Sequence, residues 1–307
     1  MNTITQNYPI NIKVNIEYKI LNSSIKKYIL NELKEQDFIS DKLVNILNAS
    51  KYIEFSYNNI FLNTIPVNYV SNDIITTVIK RIYTLVNIYS ITYPLRIWFI
   101  PIKSIRQFPV NGEIVDSKHI NGGYTYLHNH NIFVYRYEDF EKVILHEVLH
   151  NSILQIPWAD KNISELRELF KINNKSSFQP TEAFIEFWAI YYHVRFIAYE
   201  TGKSFSNLLE KEILWNLYLT RKLLKYQKKY FEEKGWYEYT NSFSYIIIKT
   251  ILLCNWRKIL NMKEYTSDNI NKLIRNVYKG SNKIYELYPK YKYYPDNNSM
   301  KLSINIS

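Results

Sequence analysis

His146, Glu147 and His150 are the residues of this chain whose types and spacing most directly do chemistry. They form the pattern H-E-x-x-H. On an α-helix, residues four apart lie about 40° apart around the axis and one turn along it. Two imidazoles so placed can share one Zn²⁺, and the glutamate between them reaches a water on that metal. The chemistry implied is hydrolysis, with peptide bonds the leading substrate. The motif is short, and chance supplies it in roughly one chain of this length in a hundred. The surroundings therefore decide. Residues 139–154 contain no Gly or Pro, Glu138, Asp139 and Glu141 gather at the start, and Pro157 follows the end. Acids favour a helix N-terminus, and Pro stops a helix. Val143, Ile144, Leu145, Val148, Leu149, Ile153 and Leu154 make that helix apolar over most of its circumference, which predicts burial. Two buried histidines and a buried glutamate are costly without partners, and a shared metal removes the cost. The competing reading is two core histidines satisfied by ordinary hydrogen bonds.

A catalytic zinc takes three protein ligands and keeps one position open. The metzincin extension requires Gly three and His six positions after the second histidine. Ile153 and Ile156 stand there and exclude it. The acids downstream are Asp160, Glu165, Glu168, Glu182 and Glu186. Glu165 and Glu168 belong to a charge-balanced amphipathic segment, where a solvated face explains them. Asp160 follows a Pro-Trp-Ala turn and is reached only if the chain folds straight back. Glu182 and Glu186 differ, because they follow Pro180 in a stretch otherwise almost wholly apolar or aromatic. Carboxylates enter such surroundings when paired or on a metal. Their four-residue spacing puts both on one helix face, and Ala183 and Ala189 leave room beside it. Glu182 reads as the third ligand. Glu186 reads as the carboxylate that accepts a hydrogen bond from the other ring nitrogen of a liganding histidine, His146, and so orients it. The reverse assignment, with Glu186 on the metal, stays open. So does a salt bridge from the pair to Arg195 or a neighbouring lysine.

His146-Glu147-x-x-His150 followed by Glu182-x-x-x-Glu186 resembles the gluzincin metallopeptidases, of which thermolysin is the familiar member. That resemblance implies one Zn²⁺ per chain on His146, His150 and Glu182, with Glu147 as general base, Glu186 in support, and a polypeptide as substrate. Two strands are predicted just upstream, in 119–126 and 131–136, with a turn at 127–130. A strand pair directly before the motif helix looks like the zincin edge-strand arrangement, in which the outer strand binds substrate backbone. Gly122, Gly123, Tyr124 and Thr125 occupy the corresponding place. Asn-Gly-Gly-Tyr-Thr, Ile-Phe-Val-Tyr-Arg and the histidine motif together are also similar to uncharacterised metallopeptidase-like proteins of large DNA viruses. The resemblance covers about residues 119–190. It departs from thermolysin in a longer gap to the third ligand and in lacking a calcium-site run of acids.

The elements that must position these groups give an α+β, zincin-like expectation. Residues 1–155 form a mixed lobe with edge strands, ending in the motif helix. Residues 156–307 form a helical lobe that supplies Glu182 and ends in a loose tail. Strands are expected at 8–20, 52–67 and 95–101, and helices at 24–47, 72–88, 163–171, 181–200, 205–234, 242–261 and 268–287. Candidate donors to a developing oxyanion are Tyr192 and His193, with Tyr191, Tyr135 and Tyr124 behind them. His193 falls 11 positions after Glu182, about 16 Å along a helix, so it is not expected on the metal.

The 307 residues carry a net charge of +11 and 29 Tyr, and 47% of the chain is hydrophobic, which excludes a disordered class. The basic charge admits nucleic-acid binding, but Asn, Ile, Lys and Tyr have A/T-rich codons, and a low-GC genome inflates Lys without selection. A catalytically inactive zincin-fold structural or nucleic-acid-binding protein, associated with a virion, is the alternative class. The start shows no signal peptide, the apolar run 245–254 carries Lys249 and is too short for a bilayer, and Cys254 stands alone. An intracellular setting is expected, the host cytoplasm or the virion if the chain is viral. Oligomeric state is not legible.

Overall fold

The computed structural model describes residues 3–35, 38, 40–127, 130–231, 235–280 and 300–301. In chain order the elements are α1 (Thr3–Asn7), β1 (Asn15–Ile20), α2 (Ser23–Glu35), α3 (Asp41–Leu47), β2 (Lys51–Tyr57), β3 (Ile60–Thr64), α4 (Asn72–Ile88) and β4 (Leu95–Phe99). Then come α5 (Ser117–Ile120), β5 (Gly123–Tyr126), β6 (Asn131–Val134), α6 (Phe140–Leu149), α7 (Asp160–Phe170), α8 (Pro180–Thr201) and α9 (Phe205–Phe231). A π-helical turn, Ser244–Ile248, runs into α10 (Lys249–Cys254), followed by α11 (Trp256–Leu260) and α12 (Ser267–Gly280). The class is α+β. Two compact units form: 1–105 with 121–153, and 106–120 with 154–307. Among the described residues no helix is long and apolar enough to cross a membrane.

The first unit is built on a six-stranded mixed sheet in the order β1-β2-β3-β4-β6-β5. β3–β4 and β4–β6 are parallel and the other pairs antiparallel. The central strands bury most of their residues, and β4 alternates buried Leu95, Ile97 and Phe99 with exposed Arg96 and half-buried Trp98. Phe55, Leu62, Ile97 and Ile132 align across β2, β3, β4 and β6 by register and face α4 and α6. Phe99 on the same face stacks on Phe140 of α6, centroids 4.3 Å apart. The opposite face carries Tyr52, Trp98, Phe133 and Tyr124, and Tyr28 of α2 packs edge-on against Phe133. The core on that side joins Ile29 and Leu33 of α2 to Leu43 and Leu47 of α3.

Several elements are shorter than the sequence predicts. The expected strand over 8–20 forms only at its end. The expected helix over 24–47 is two helices, and Ser40 starts the second by accepting from the Leu43 N–H at 3.3 Å. A serine N-cap satisfies a helix N–H that would otherwise lack a partner. The motif helix ends at Leu149 rather than near Leu154. Most of the expected loose tail lies outside the described residues, but Met300 and Lys301 are held: Met300 is buried and its N–H donates to the Arg106 carbonyl at 3.1 Å, while Trp215 Nε1 donates to the Lys301 carbonyl at 2.8 Å. The expected 52–67 strand region is the antiparallel pair β2–β3, turning at Asn58, which is left-handed at φ 51°, and the expected 72–88 helix is α4, capped by the Ser71 oxygen, which accepts from the Ile74 N–H.

The second unit packs α8 against α9 and against the π-turn with α10, while α7 pairs with α12. Helix α8 begins with Pro at its first turn and stops at Gly202, whose φ is 69°. Proline lacks the N–H that a first turn leaves unbonded, and glycine adopts the left-handed end without strain. Nearly every position of α8 from Ala183 to Ile197 is buried.

Candidate metal centre

His146 sits in the last turn of α6, and His150 is the residue after its last helical position. His150 nevertheless keeps helical backbone angles (φ −58°, ψ −24°), and its N–H reaches the His146 carbonyl at 3.3 Å. The four-residue spacing therefore survives the early helix end. The two Nε2 atoms are 3.0 Å apart, the rings are inclined by 72°, and both side chains are buried. With a cation present, both lone pairs turn toward it. Glu147 is also buried, and Phe140, Val143 and Ile144 anchor the helix in the core around it.

Asn151 holds the end of this helix. Its Nδ2 donates to the Glu147 carbonyl at 3.1 Å, and its Oδ1 meets His130 Nδ1 at 2.8 Å. The Tyr93 hydroxyl donates to the Asn151 carbonyl at 2.6 Å, and the Tyr93 ring stacks on His130 with centroids 3.5 Å apart. His130 closes the β5–β6 turn in a left-handed conformation, φ 57°. The motif helix and the edge hairpin are thus tied through one asparagine.

β5 is the last strand of the sheet, paired antiparallel with β6. It starts at Gly123; Gly122 precedes it, and the Gly122 carbonyl accepts from the Tyr135 N–H at 2.9 Å. Gly123 and Thr125 face the α6 side. A Cβ on Gly123 would stand 2.7 Å from the Phe133 carbonyl oxygen and 3.0 Å from Val143 Cγ1. Tyr124 points to the other face, where its hydroxyl donates to Glu32 at 2.8 Å. Burial and that carboxylate raise its pKa well above the usual tyrosine value. Tyr135 is fully buried against Phe38, also on the α2 side. Neither tyrosine is placed as the oxyanion donor the sequence admits.

In the second unit, Glu182 lies in the first turn of α8, half-buried, where the helix dipole favours a negative charge. The Tyr245 hydroxyl donates to its Oε2 at 2.9 Å. Glu186, one turn on, is only 1% exposed, and Lys249 Nζ, 0% exposed, lies 3.7 Å from its Oε1. Two residues four apart on α8 thus meet two residues four apart on the π-turn and α10. Tyr192 stacks on Trp188 at 5.7 Å in a packing role, and His193 is buried further along the same helix. One ligand atom from each of His146, His150 and Glu182 lies within 4.8 Å of the other two. Among the described residues, no other three His, Cys, Asp or Glu side chains gather in this way.

The donor set suits zinc: two neutral imidazoles and one carboxylate. Bonds of about 2.0–2.1 Å in a tetrahedron separate ligand atoms by roughly 3.3 Å. The histidine pair already has nearly that separation. The 4.8 Å limit is looser than the 3–4 Å convergence expected of a finished site.

Glu186 does meet a lysine, the salt bridge left open above, though it comes from Lys249, distant in sequence, while Tyr245 on Glu182 was not among the expected partners. The signal for Lys249 was present, since a lone lysine inside Ile-Ile-Ile-Lys-Thr-Ile-Leu-Leu demands a buried acid. Asn151 gave no such signal, because its partners are distant in sequence. Compared with protein-family models, curated proteins and solved structures, the chain matches none.

Proposed function

We propose that this chain is a zinc-dependent metallopeptidase of gluzincin type, with His146, His150 and Glu182 as ligands and Glu147 as general base. The observation that carries the reading is a buried imidazole pair, nitrogens 3.0 Å apart, with a carboxylate oxygen in the same 4.8 Å group. Zn²⁺ bound there supplies Lewis acidity and lowers the pKa of a water to about 7.

The chain's own groups then have distinct tasks. Glu147, one residue on from His146, takes the proton of the attacking water and returns it to the leaving amine. Tyr245 restrains the Glu182 carboxylate, leaving its second oxygen to serve as ligand. Glu186 accepts from the outer ring nitrogen of a liganding histidine, and Lys249 balances its buried charge. The edge of β5 takes an extended polypeptide by strand addition, and Gly123 and Thr125 lie on the α6 side of that strand. An edge hairpin directly before the metal-binding helix supports a zincin-like fold.

Four preparations test the proposal. The purified protein is expected to hold about one zinc per chain by elemental analysis and to cleave an unfolded polypeptide. Glu147→Gln keeps its zinc and loses cleavage by about 10²–10⁴-fold, the usual worth of a general base. Cleavage by Glu147→Gln at the rate of the unaltered protein overturns the mechanism. Glu182→Ala lowers zinc content, whereas full retention there with loss in Glu186→Ala transfers the ligand role to Glu186.

A further inference from the structure

β1 is the opposite edge of the sheet from β5, and it is exposed along nearly its whole length. Ile16, Tyr18 and Ile20 are 38%, 63% and 73% exposed. They share the α4 face by register; α4 packs on β2 and β3, and these three side chains stay exposed beside it. An open, apolar edge strand is a template for pairing with another strand. Natural edges are commonly blunted by charged side chains, Lys above all, that repel a second copy. β1 instead alternates them: Glu17 and Lys19 lie on the other face, and Lys19 Nζ is 2.6 Å from Glu54 and 3.5 Å from Glu17.

The hydrogen bonding of β1 to β2 fixes which backbone groups remain available. The Leu21 N–H donates to the Ser50 carbonyl at 2.9 Å, and that pair continues the β1–β2 register. In an antiparallel ladder, hydrogen-bonded pairs alternate with non-hydrogen-bonded ones. Residues 15, 17 and 19 therefore turn their N–H and C=O toward β2. Ile16, Tyr18 and Ile20 turn theirs outward.

We propose that β1 pairs antiparallel with β1 of a second copy of this chain, about a two-fold axis at Tyr18. This register sets Tyr18 opposite Tyr18 and Ile16 opposite Ile20, so that all three outward residues bond across the axis. It also sets Glu17 of each copy directly opposite Lys19 of the other, in the non-hydrogen-bonded pairs where side chains approach most closely. A shift of one pair in either direction opposes Glu17 to Glu17 or Lys19 to Lys19 and loses backbone bonds. Self-complementarity of this kind is what an isologous two-fold contact requires. The same pairing covers Ile16, Tyr18 and Ile20 and makes one sheet continuous through both copies.

The test is a charge exchange read by sedimentation from about 1 to about 100 μM, the range of weak to moderate association. The unaltered 37.0 kDa chain is expected to double in mass as concentration rises. Glu17→Lys alone and Lys19→Glu alone each oppose like charges and stay monomeric. Their equimolar mixture restores both attractive pairs and forms a heterodimer. Tyr18→Cys adds a covalent readout, because residues in a hydrogen-bonded pair have Cα atoms about 5.5 Å apart, within disulfide reach. Oxidised Tyr18→Cys then runs as a dimer on a non-reducing gel, while the unaltered chain, with Cys254 alone, does not. A monomer at the highest concentration, self-association of either single variant, or failure of the mixture to associate overturns the proposal.

Discussion

Replacing Lys249 by Met should unbalance the buried charge beside the candidate metal centre. Lys249 and Glu186 are 0% and 1% exposed, with Nζ and Oε1 3.7 Å apart. At an effective dielectric of about 20, two unit charges at that distance attract by roughly 4.5 kcal/mol. Removing one partner of a buried pair typically costs about 3–5 kcal/mol, because the other charge stays desolvated. Met replaces the lysine stem without leaving a hole, so the loss reads the charge rather than a cavity. With an unfolding entropy of about 2.1 cal/mol/K per residue, a loss near 4 kcal/mol lowers Tm by about 6 °C. Thermal and urea unfolding of Lys249→Met, Glu186→Gln and the double variant completes a double-mutant cycle. Glu186→Gln in the Lys249→Met background should recover part of the loss. Additive single effects, or a Lys249→Met protein as stable as the unaltered one, would refute the claim that the lysine compensates Glu186.

Further perturbations probe the framework around the site. Gly123→Ala places a methyl 2.7 Å from the Phe133 carbonyl; it should cost about 1–3 kcal/mol in urea unfolding, and no change would mean that the hairpin yields freely. Asn151→Ala deletes the hydrogen bonds to His130 and to the Glu147 carbonyl and should weaken zinc retention by about 10–100-fold against a chelator, with unchanged retention removing Asn151 from the positioning role. Burial pushes the Glu238 carboxyl up to about 8 in the folded chain from an ordinary 4.5, against the opposing hydrogen bonds from Ser242 and Phe243. A folded pKa above the unfolded one contributes stability fully present below 4.5 and lost as pH rises through about 8. The urea midpoint should therefore fall between pH of about 5 and about 9, and Glu238→Gln should flatten that fall; an equal slope in the variant rules Glu238 out as its source.

Local rules made much of this chain legible in advance. The spacing of His146, Glu147 and His150 states its own geometry, because four residues on any helix return to nearly the same face. Glu182 and Glu186 stood out because acids in an aromatic helix need a reason to be there. The start of α4 at Ser71 and the turn at Asn58 rest on side-chain and backbone preferences that act within a few residues. Where helices broke was harder to read. Ser40 was a cap hidden inside an unbroken helical pattern, and residues after Leu149 left the motif helix although no Gly or Pro forced them.

The pattern of His146-Glu147-x-x-His150 and the apolar helix beneath it are thus properties of the sequence, set by periodicity and by the cost of burying charge. Which partners those groups meet is a property of the tertiary structure. Tyr245 on Glu182, Lys249 beside Glu186, and Asn151 joining the motif helix to the His130 turn all connect residues that share no local pattern. The same holds for the sheet. Alternation in 15–20 predicts a strand, but only the strand order leaves β1 at one edge with Ile16, Tyr18 and Ile20 uncovered and β5 at the other. Side-chain periodicity is written residue by residue, whereas edges and buried pairs arise only when distant segments compete for the same core.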